Sequence, residues 1–466
     1  MMKLTMKTAL KTTLLVTLMA AGSQVYAAGE AKNVIFFLGD GMGPTTVTAS
    51  RIYAYGEAGK LTMESLRRTA RIKTFSNDAQ TTDSAPSMSA YMTGVKMNND
   101  VLSMSPDTQA FDAAGKPFTN GSDTTCTSSN GKPVSTLLEL AKANGKSVGA
   151  VTTTRITHAT PAATYSHICN RDGENDIAAQ VVPGNPRYNA KLGTGVDVLL
   201  GGGYRHFIPS TATGSKRKDD QDLLAQLAAK GYTVVNSKTA FNAVDASKTS
   251  KLVGLFNKDH LNYDLDRQKN PAIDEPTLAD MTVKAIDVLS KNNKGYFLMV
   301  EGGRIDHALH DTNAKRALHD TIAFDNAIKA ALGKVDLSNT LIVVTADHDH
   351  TMAFNGYSHR GNNILGLTTQ YQDKKLAKDV NGLPYTTLVF GNGGGERNDT
   401  RSDLTNVDTT ADDYLQQVGV KLGDKGSETH GGGDVFLFSS GAGSTGFKGT
   451  LDNTKVFSVV KTAFGF

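Results

Sequence analysis

Tryptophan is absent from the 466 residues, cysteine occurs only twice and proline twelve times. Two cysteines are too few for a disulfide-built scaffold or a thiolate metal cluster, so ordinary hydrophobic packing must hold the chain together. With 39% hydrophobic and 20% charged residues, the composition excludes disordered, collagen-like and coiled-coil chains. An excess of charge is also missing. The formal net charge is +3, and Lys3, Lys7 and Lys11, in an acid-free stretch at 1–27, account for all of it. Net charge therefore gives no reason to expect a nucleic-acid or anionic-membrane partner. Long apolar runs are lacking too: residues 14–21 form a run well short of the ~20 residues that span a bilayer. Glycine alone is abundant, at 46 residues.

The three lysines precede Leu14-Leu15-Val16-Thr17-Leu18-Met19-Ala20-Ala21, and Val25-Tyr26-Ala27 follows with small residues where a signal peptidase reads. Residues 1–27 thus have the basic, apolar and cleavable order of a secretory signal peptide. The expectation is an exported protein, periplasmic or secreted, with no stable membrane anchor in the mature chain. In an oxidising compartment Cys126 and Cys169 are candidates for a disulfide. Their spacing does not supply the Cα separation a bridge requires.

Short apolar runs without alternation recur at 34–38, 148–151, 296–300, 341–344, 387–390 and 435–438. Such runs predict strands buried on both faces. Helical patterns at 136–143 and 278–289 precede two of them. This alternation predicts an α/β fold, doubly wound, with a largely parallel central sheet and helices on both faces. Three of the runs lead within three residues into an acid: Asp40, Glu301 and Asp347. Parallel strands bring their carboxyl ends to one edge, where such sheets bind ligands. Three carboxylates gathered there repel one another unless cations lie between them, which points to metal ions.

Imidazoles lie nearby in sequence. On a helix through Arg304-Ile305-Asp306-His307-Ala308-Leu309-His310, Asp306 and His310 share one face. Asp347-His348 is a second acid–imidazole pair, and Glu428-Thr429-His430 offers another histidine. Carboxylates and imidazoles without thiolates suit Zn²⁺ or Mg²⁺. In Asp83-Ser84-Ala85, Ser84 fits a helix N-cap, where free N–H groups also cradle anions. A metal beside it would turn the hydroxyl into a nucleophile. Thr160 is a modest ligand for a hard cation, and Arg171 carries a planar fork suited to phosphate. Singly, each of these residues fits capping or packing equally well.

The segments Gly39-Asp40-Gly41-Met42-Gly43, Asp83-Ser84-Ala85, Val300-Glu301-Gly302-Gly303-Arg304-Ile305-Asp306-His307, Thr345-Ala346-Asp347-His348 and Thr429-His430 resemble alkaline phosphatase, in the same order. The resemblance runs from about Asn33 to about Ser440. It implies hydrolysis of phosphate monoesters at alkaline pH through a phosphoserine on Ser84, with Arg171 holding the phosphate. One zinc would be bound by Asp306, His310 and His430, and a second by Asp40, Asp347 and His348. A magnesium would be bound by Asp40, Thr160 and Glu301. His158 and His307 stand where the best-known bacterial enzyme has Asp and Lys, a pattern closer to the animal enzymes, and are expected beside magnesium rather than as its ligands. Calcium is not expected, because Asn257 replaces one acid of the animal calcium site.

The family is commonly dimeric, so a homodimer acting on small phosphomonoesters is expected, with no role in binding nucleic acid. Residues 28–466 read as one catalytic domain. The stretch at about 354–428, rich in Gly, Asn, Asp and Thr, resembles the crown insertion of the animal enzymes. The competing readings are a phosphodiesterase or sulfatase of the same fold and a metal-free phosphate-binding protein. Ser84-Ala85-Pro86-Ser87 does not match the Cys/Ser-x-Pro-x-Arg signature of sulfatases, and phosphate binding alone does not call for so many metal-ligating groups. Gly39, Gly41, Gly43, Gly302, Gly303 and Gly431 to Gly433 flank the proposed ligands and are expected to turn the chain sharply at strand ends.

Overall fold

Phe36 and Phe37 are neighbours in a strand, so their side chains leave opposite faces of the sheet. Phe36 meets Tyr91, with ring centroids 5.6 Å apart, and Phe37 meets Phe324 at 6.0 Å. Those partners lie on two different helices, Ser84–Thr93 and Ala314–Leu332. Both faces of this strand are therefore covered, which is why its sequence is apolar without alternation. The computed structural model describes residues 31–394, 401–423 and 426–466; the expected signal peptide at 1–27 lies outside them.

The main sheet has ten strands: β1 (Asn33–Gly39), β2 (Arg68–Lys73), β3 (Ser147–Arg155), β4 (Val198–Gly202), β5 (Thr233–Val235), β6 (Leu252–Leu255), β7 (Tyr296–Gly302), β8 (Thr340–Thr345), β9 (Val435–Gly441) and β10 (Gly449–Asp452). Their spatial order is β10-β2-β9-β8-β1-β7-β3-β4-β6-β5. Only β9 runs against its neighbours, β8 and β2; every other pairing is parallel. Four helices bear on the site: α1 (Pro44–Tyr55), α2 (Ser84–Thr93), α3 (Ala159–Tyr165) and α4 (Arg304–His310).

The order β8-β1-β7-β3 positions the chemistry. Leu38 lies opposite Thr345 of β8 and Glu301 of β7, and Glu301 lies opposite Thr152 of β3. Neighbouring strands are ~4.8 Å apart, so segments far apart in the chain deliver Asp40, Glu301 and Asp347 to adjacent places on one edge.

Two expectations need correction. The apolar run at 387–390 does not enter the main sheet. It belongs to strand Leu388–Gly393, which pairs with Met352–Phe354 and Val418–Lys421 in a separate three-stranded sheet. A run this short carries no information about its partners, and here they lie within the same excursion between β8 and β9. Nor do the glycines act as expected. Among those flanking the proposed ligands only Gly41 has a left-handed φ, +65°. Elsewhere the need is room: a Cβ on Gly303 would lie 2.2 Å from Thr154 Cγ2 and 2.6 Å from Glu301 Oε1.

Candidate active site

Ser84 is the first residue of α2 rather than its cap. Asp83 takes the N-cap position and accepts from Ala85 N at 3.3 Å. The serine hydroxyl is therefore not needed for capping. Ser84 Oγ lies 3.2 Å from His348 Nε2 and 3.4 Å from Asp40 Oδ1, with the residue 2% exposed. Two bonds tie α2 to the turn after β8: Ser87 Oγ donates to Asp347 O (2.7 Å) and Tyr91 OH donates to Ala346 O (2.8 Å). They couple the position of Ser84 to that of Asp347 and His348.

Asp347 and Glu301 follow one pattern, in which one carboxylate oxygen is held and the other is bare. Asp347 Oδ1 accepts from Gly41 N and His348 N, both at 3.0 Å, while buried Oδ2 has no hydrogen-bond partner among the described residues. Glu301 Oε2 accepts from Thr152 and from Thr154 (3.2 Å), while buried Oε1 has none. Asp40 Oδ2 takes a bond from Thr160 at 3.5 Å. Burial pushes the Glu301 and Asp347 carboxyls up to about 8, and the neighbouring Asp40 charge adds to the effect on Asp347. Asp40 is raised too, by burial and then by Asp306 and Glu301. Bare oxygens of mutually repelling buried acids fit divalent cations, which compensate charge and fill the empty coordination.

The histidines strengthen that fit. His310 Nδ1 faces Glu428 O (2.5 Å), His430 Nδ1 faces Thr82 O (2.8 Å) and His348 Nδ1 faces Asp349 O (3.1 Å). A carbonyl only accepts, so each Nδ1 carries a proton and Nε2 is the nitrogen left to bind a metal. His310 Nε2 and His430 Nε2 are 3.1 Å apart and lie 3.3 Å and 3.5 Å from Asp306 Oδ1. Two facing Nε2 atoms beside a carboxylate form a ligand set for a cation such as zinc. Asp40, Asp347 and His348 form another group, with ligand atoms within 4.8 Å of one another.

A family model described as alkaline phosphatase matches residues 31–466. The chain belongs to the alkaline phosphatase family. It is similar to the alkaline phosphatase of Gadus morhua, 37% identical over 451 residues that cover 91% of this chain and 89% of that one. The tissue-nonspecific alkaline phosphatase of Mus musculus is 37% identical over 448 residues, covering 88% and 79%. Among solved structures, the alkaline phosphatase of Thermus thermophilus is 26% identical with a TM-score of 0.67, covering 97% of this chain and 96% of that one. As a member of this family the enzyme hydrolyses phosphate monoesters.

In this alkaline phosphatase Arg171 is held at Asp83, the residue that precedes the serine. Its guanidinium pairs with Asp83, and Nη2 donates to His158 Nε2 at 2.9 Å. The loop that carries it is anchored by a Cys126–Cys169 disulfide, with Cα atoms 6.0 Å apart, and by Arg171 N donating to Asp100 O at 2.8 Å. His158, expected beside a magnesium rather than as its ligand, is buried next to two of the acids expected to hold that ion. It groups with Asp40 and Glu301, with ligand atoms within 4.8 Å of one another; since Nε2 accepts from Arg171, the proton of the neutral ring lies on Nδ1, which has no partner among the described residues. Burial and then the Arg171 charge lower its pKa, keeping it neutral. His307 accepts from Arg304 Nη1 at 2.7 Å and is pushed down to about 3 by burial and that same arginine.

The sequence reading overlooked His350. Its Nε2 is 2.7 Å from Asp306 Oδ1 and its Nδ1 is 2.5 Å from Glu428 Oε2. Both contacts are to acceptors, so the ring carries two protons; although burial opposes the charge, the two carboxylates push its pKa up to about 10. His350 is thus the cationic partner of Asp306, and the i,i+2 spacing of His348 and His350 was the visible signal. Glu428 also lay unassigned within a segment already singled out, and Thr152 and Thr154 directly follow the apolar run at 148–151. We expect His350→Ala to weaken zinc retention roughly ten- to a hundredfold, the usual effect of removing a group that orients a metal ligand. Competition with a zinc chelator checks this, and unchanged retention would exclude the role.

Proposed function

We propose that Ser84 is the nucleophile of this alkaline phosphatase and that hydrolysis passes through a phosphoserine. The placement of its hydroxyl supports the reading: buried at the start of a helix, unused for capping, and facing Asp40 and His348, with Arg171 paired to the adjacent Asp83. In this reading Asp306, His310 and His430 hold one zinc, Asp40, Asp347 and His348 a second, and Asp40, Thr160 and Glu301 a magnesium. Divalent cations bound there would supply Lewis acidity, favouring the serine alkoxide and neutralising charge on the phosphoryl oxygens.

The chain's own groups do the positioning. Arg171 grips two phosphoryl oxygens with its planar fork, in an orientation set by Asp83 and His158. The first N–H groups of α2 add positive field where the dianion docks. Ser84 Oγ then bonds to phosphorus as the bond to the leaving alcohol breaks, and water later cleaves the Ser84–phosphate ester. Acid quenching during turnover followed by peptide mass spectrometry should locate a phosphoryl group on Ser84. Its appearance at another residue instead would overturn the assignment.

We also propose a homodimer and export. Of the described residues, eight of the eleven exposed large apolar side chains lie between Phe354 and Leu422, in the crown-like excursion, as expected of a surface shared with a second copy. The Cys126–Cys169 bridge suits an oxidising compartment, and no helix of the described residues is long and apolar enough to cross a membrane. Light scattering and the N-terminal sequence of the mature enzyme check these two points.

A further inference from the structure

Asp100 is one of four non-glycine described residues with a positive φ, at +67°. Its main chain is committed to the site, because Asp100 N donates to Asp83 Oδ2 at 3.0 Å and Asp100 O accepts from Arg171 N at 2.8 Å. Glycine would make both bonds in this conformation without strain, so the side chain calls for its own explanation. The carboxylate is half-buried, and among the described residues no cation lies within ion-pair distance of it. It faces a crowded neighbourhood: Asp83, Asp100 and Asp172 all act on the Arg171 guanidinium. Burial and then the Asp83 charge lift Asp100 to about 6, so it is ionised at alkaline pH.

Asp83 already holds Arg171 by direct contact. Asp100, whose backbone bonds both to Asp83 and to Arg171 N, adds a further negative charge beside the arginine that must receive a dianion. We propose that Asp100 is an affinity-setting residue: its charge opposes the bound phosphoryl group, weakens retention of inorganic phosphate and so speeds its release. This rests on the reading of Arg171 as the phosphate-gripping residue. Where product release limits turnover, looser phosphate binding raises kcat at the expense of KM.

The test measures competitive inhibition by inorganic phosphate, together with KM and kcat for an aryl phosphate, in metal-saturated Asp100→Asn, Asp100→Gly and Arg171→Ala enzymes at one alkaline pH. Asparagine and glycine both accept a left-handed φ, so neither substitution disturbs the turn. Both Asp100 variants should lower the phosphate inhibition constant and KM by roughly three- to tenfold, as expected for removing one screened charge, with kcat falling alongside. A constant that is unchanged or higher in Asp100→Asn overturns the proposal. So does a change confined to Asp100→Gly, which would place the effect in the backbone. Arg171→Ala separates the two levels: if it leaves phosphate affinity intact, the reading of Arg171 fails. If it weakens affinity while Asp100→Asn does not tighten it, only the role of Asp100 fails.

Discussion

Replacing Ser84 with alanine is expected to lower kcat/KM for an aryl phosphate at least a thousandfold, in the range seen when a nucleophile is removed from an otherwise intact site. The substitution is structurally mild. Asp83 still caps α2, alanine suits the first helical position, and the bonds from Ser87 and Tyr91 to the Asp347 turn are untouched. Asp306, His310, His430, Asp347 and Glu301 also keep their partners. The variant should therefore retain the metal content and melting temperature of the wild type while losing both turnover and the acid-stable phosphoryl group. Residual hydrolysis would come from water attacking a phosphate still gripped by Arg171. Wild-type turnover by Ser84→Ala would place the nucleophile elsewhere and remove the basis of the phosphoserine reading.

Stripping the metals is expected to abolish activity and to make stability depend strongly on pH. Without cations, Glu301 and Asp347 titrate at about 8, and Asp40 is raised as well, chiefly through burial. Between the ordinary carboxylate range near 4 and about 8, the folded chain then holds protons that the unfolded chain has released. Stability therefore falls as pH rises through that window. His350 acts in the same direction: held at about 10 when folded, it contributes stability that is complete below its ordinary pKa and lost as pH rises towards 10. Thermal unfolding of chelated enzyme should show a melting temperature that drops steadily from pH 5 to pH 9, whereas the loaded enzyme should change little. Readdition of zinc and magnesium should restore activity and flatten the profile, and elemental analysis should find two zinc ions and one magnesium per chain. A pH-independent stripped protein would show that the three buried acids are not held apart by cations.

Much of the site was legible because the residues that bear its chemistry sit at strand ends. Asp40, Glu301 and Asp347 each follow a fully apolar run, and a doubly wound sheet sends such residues to one edge. Asp306 and His310 announced themselves by helical spacing. His350 did not, because two intervals of an extended chain are short and an adjacent Asp-His pair already offered a sufficient ligand set. The cap of α2 was misplaced by one residue, from Asp83 to Ser84, since both types cap helices equally well. The run at 387–390 was read as a main-sheet strand because an apolar tetrapeptide has no memory of its partner.

Sequence by itself determined the inventory: which strands form the buried centre of the main sheet, which acids and imidazoles follow them, and that one serine and one arginine accompany them. Tertiary structure decided how each group is used. The order β8-β1-β7-β3 made three acids neighbours. Carbonyls of Thr82, Asp349 and Glu428 set the histidine tautomers, and Glu428, 78 residues from His350, helped make that ring a cation. Threonines on β3 and the amide of Gly41 selected which carboxylate oxygens stay bare. The physical reason is common to all of these. Charge state and free valence depend on which donors and acceptors fill the space around a group, and in this fold most of those come from segments the local sequence does not contain.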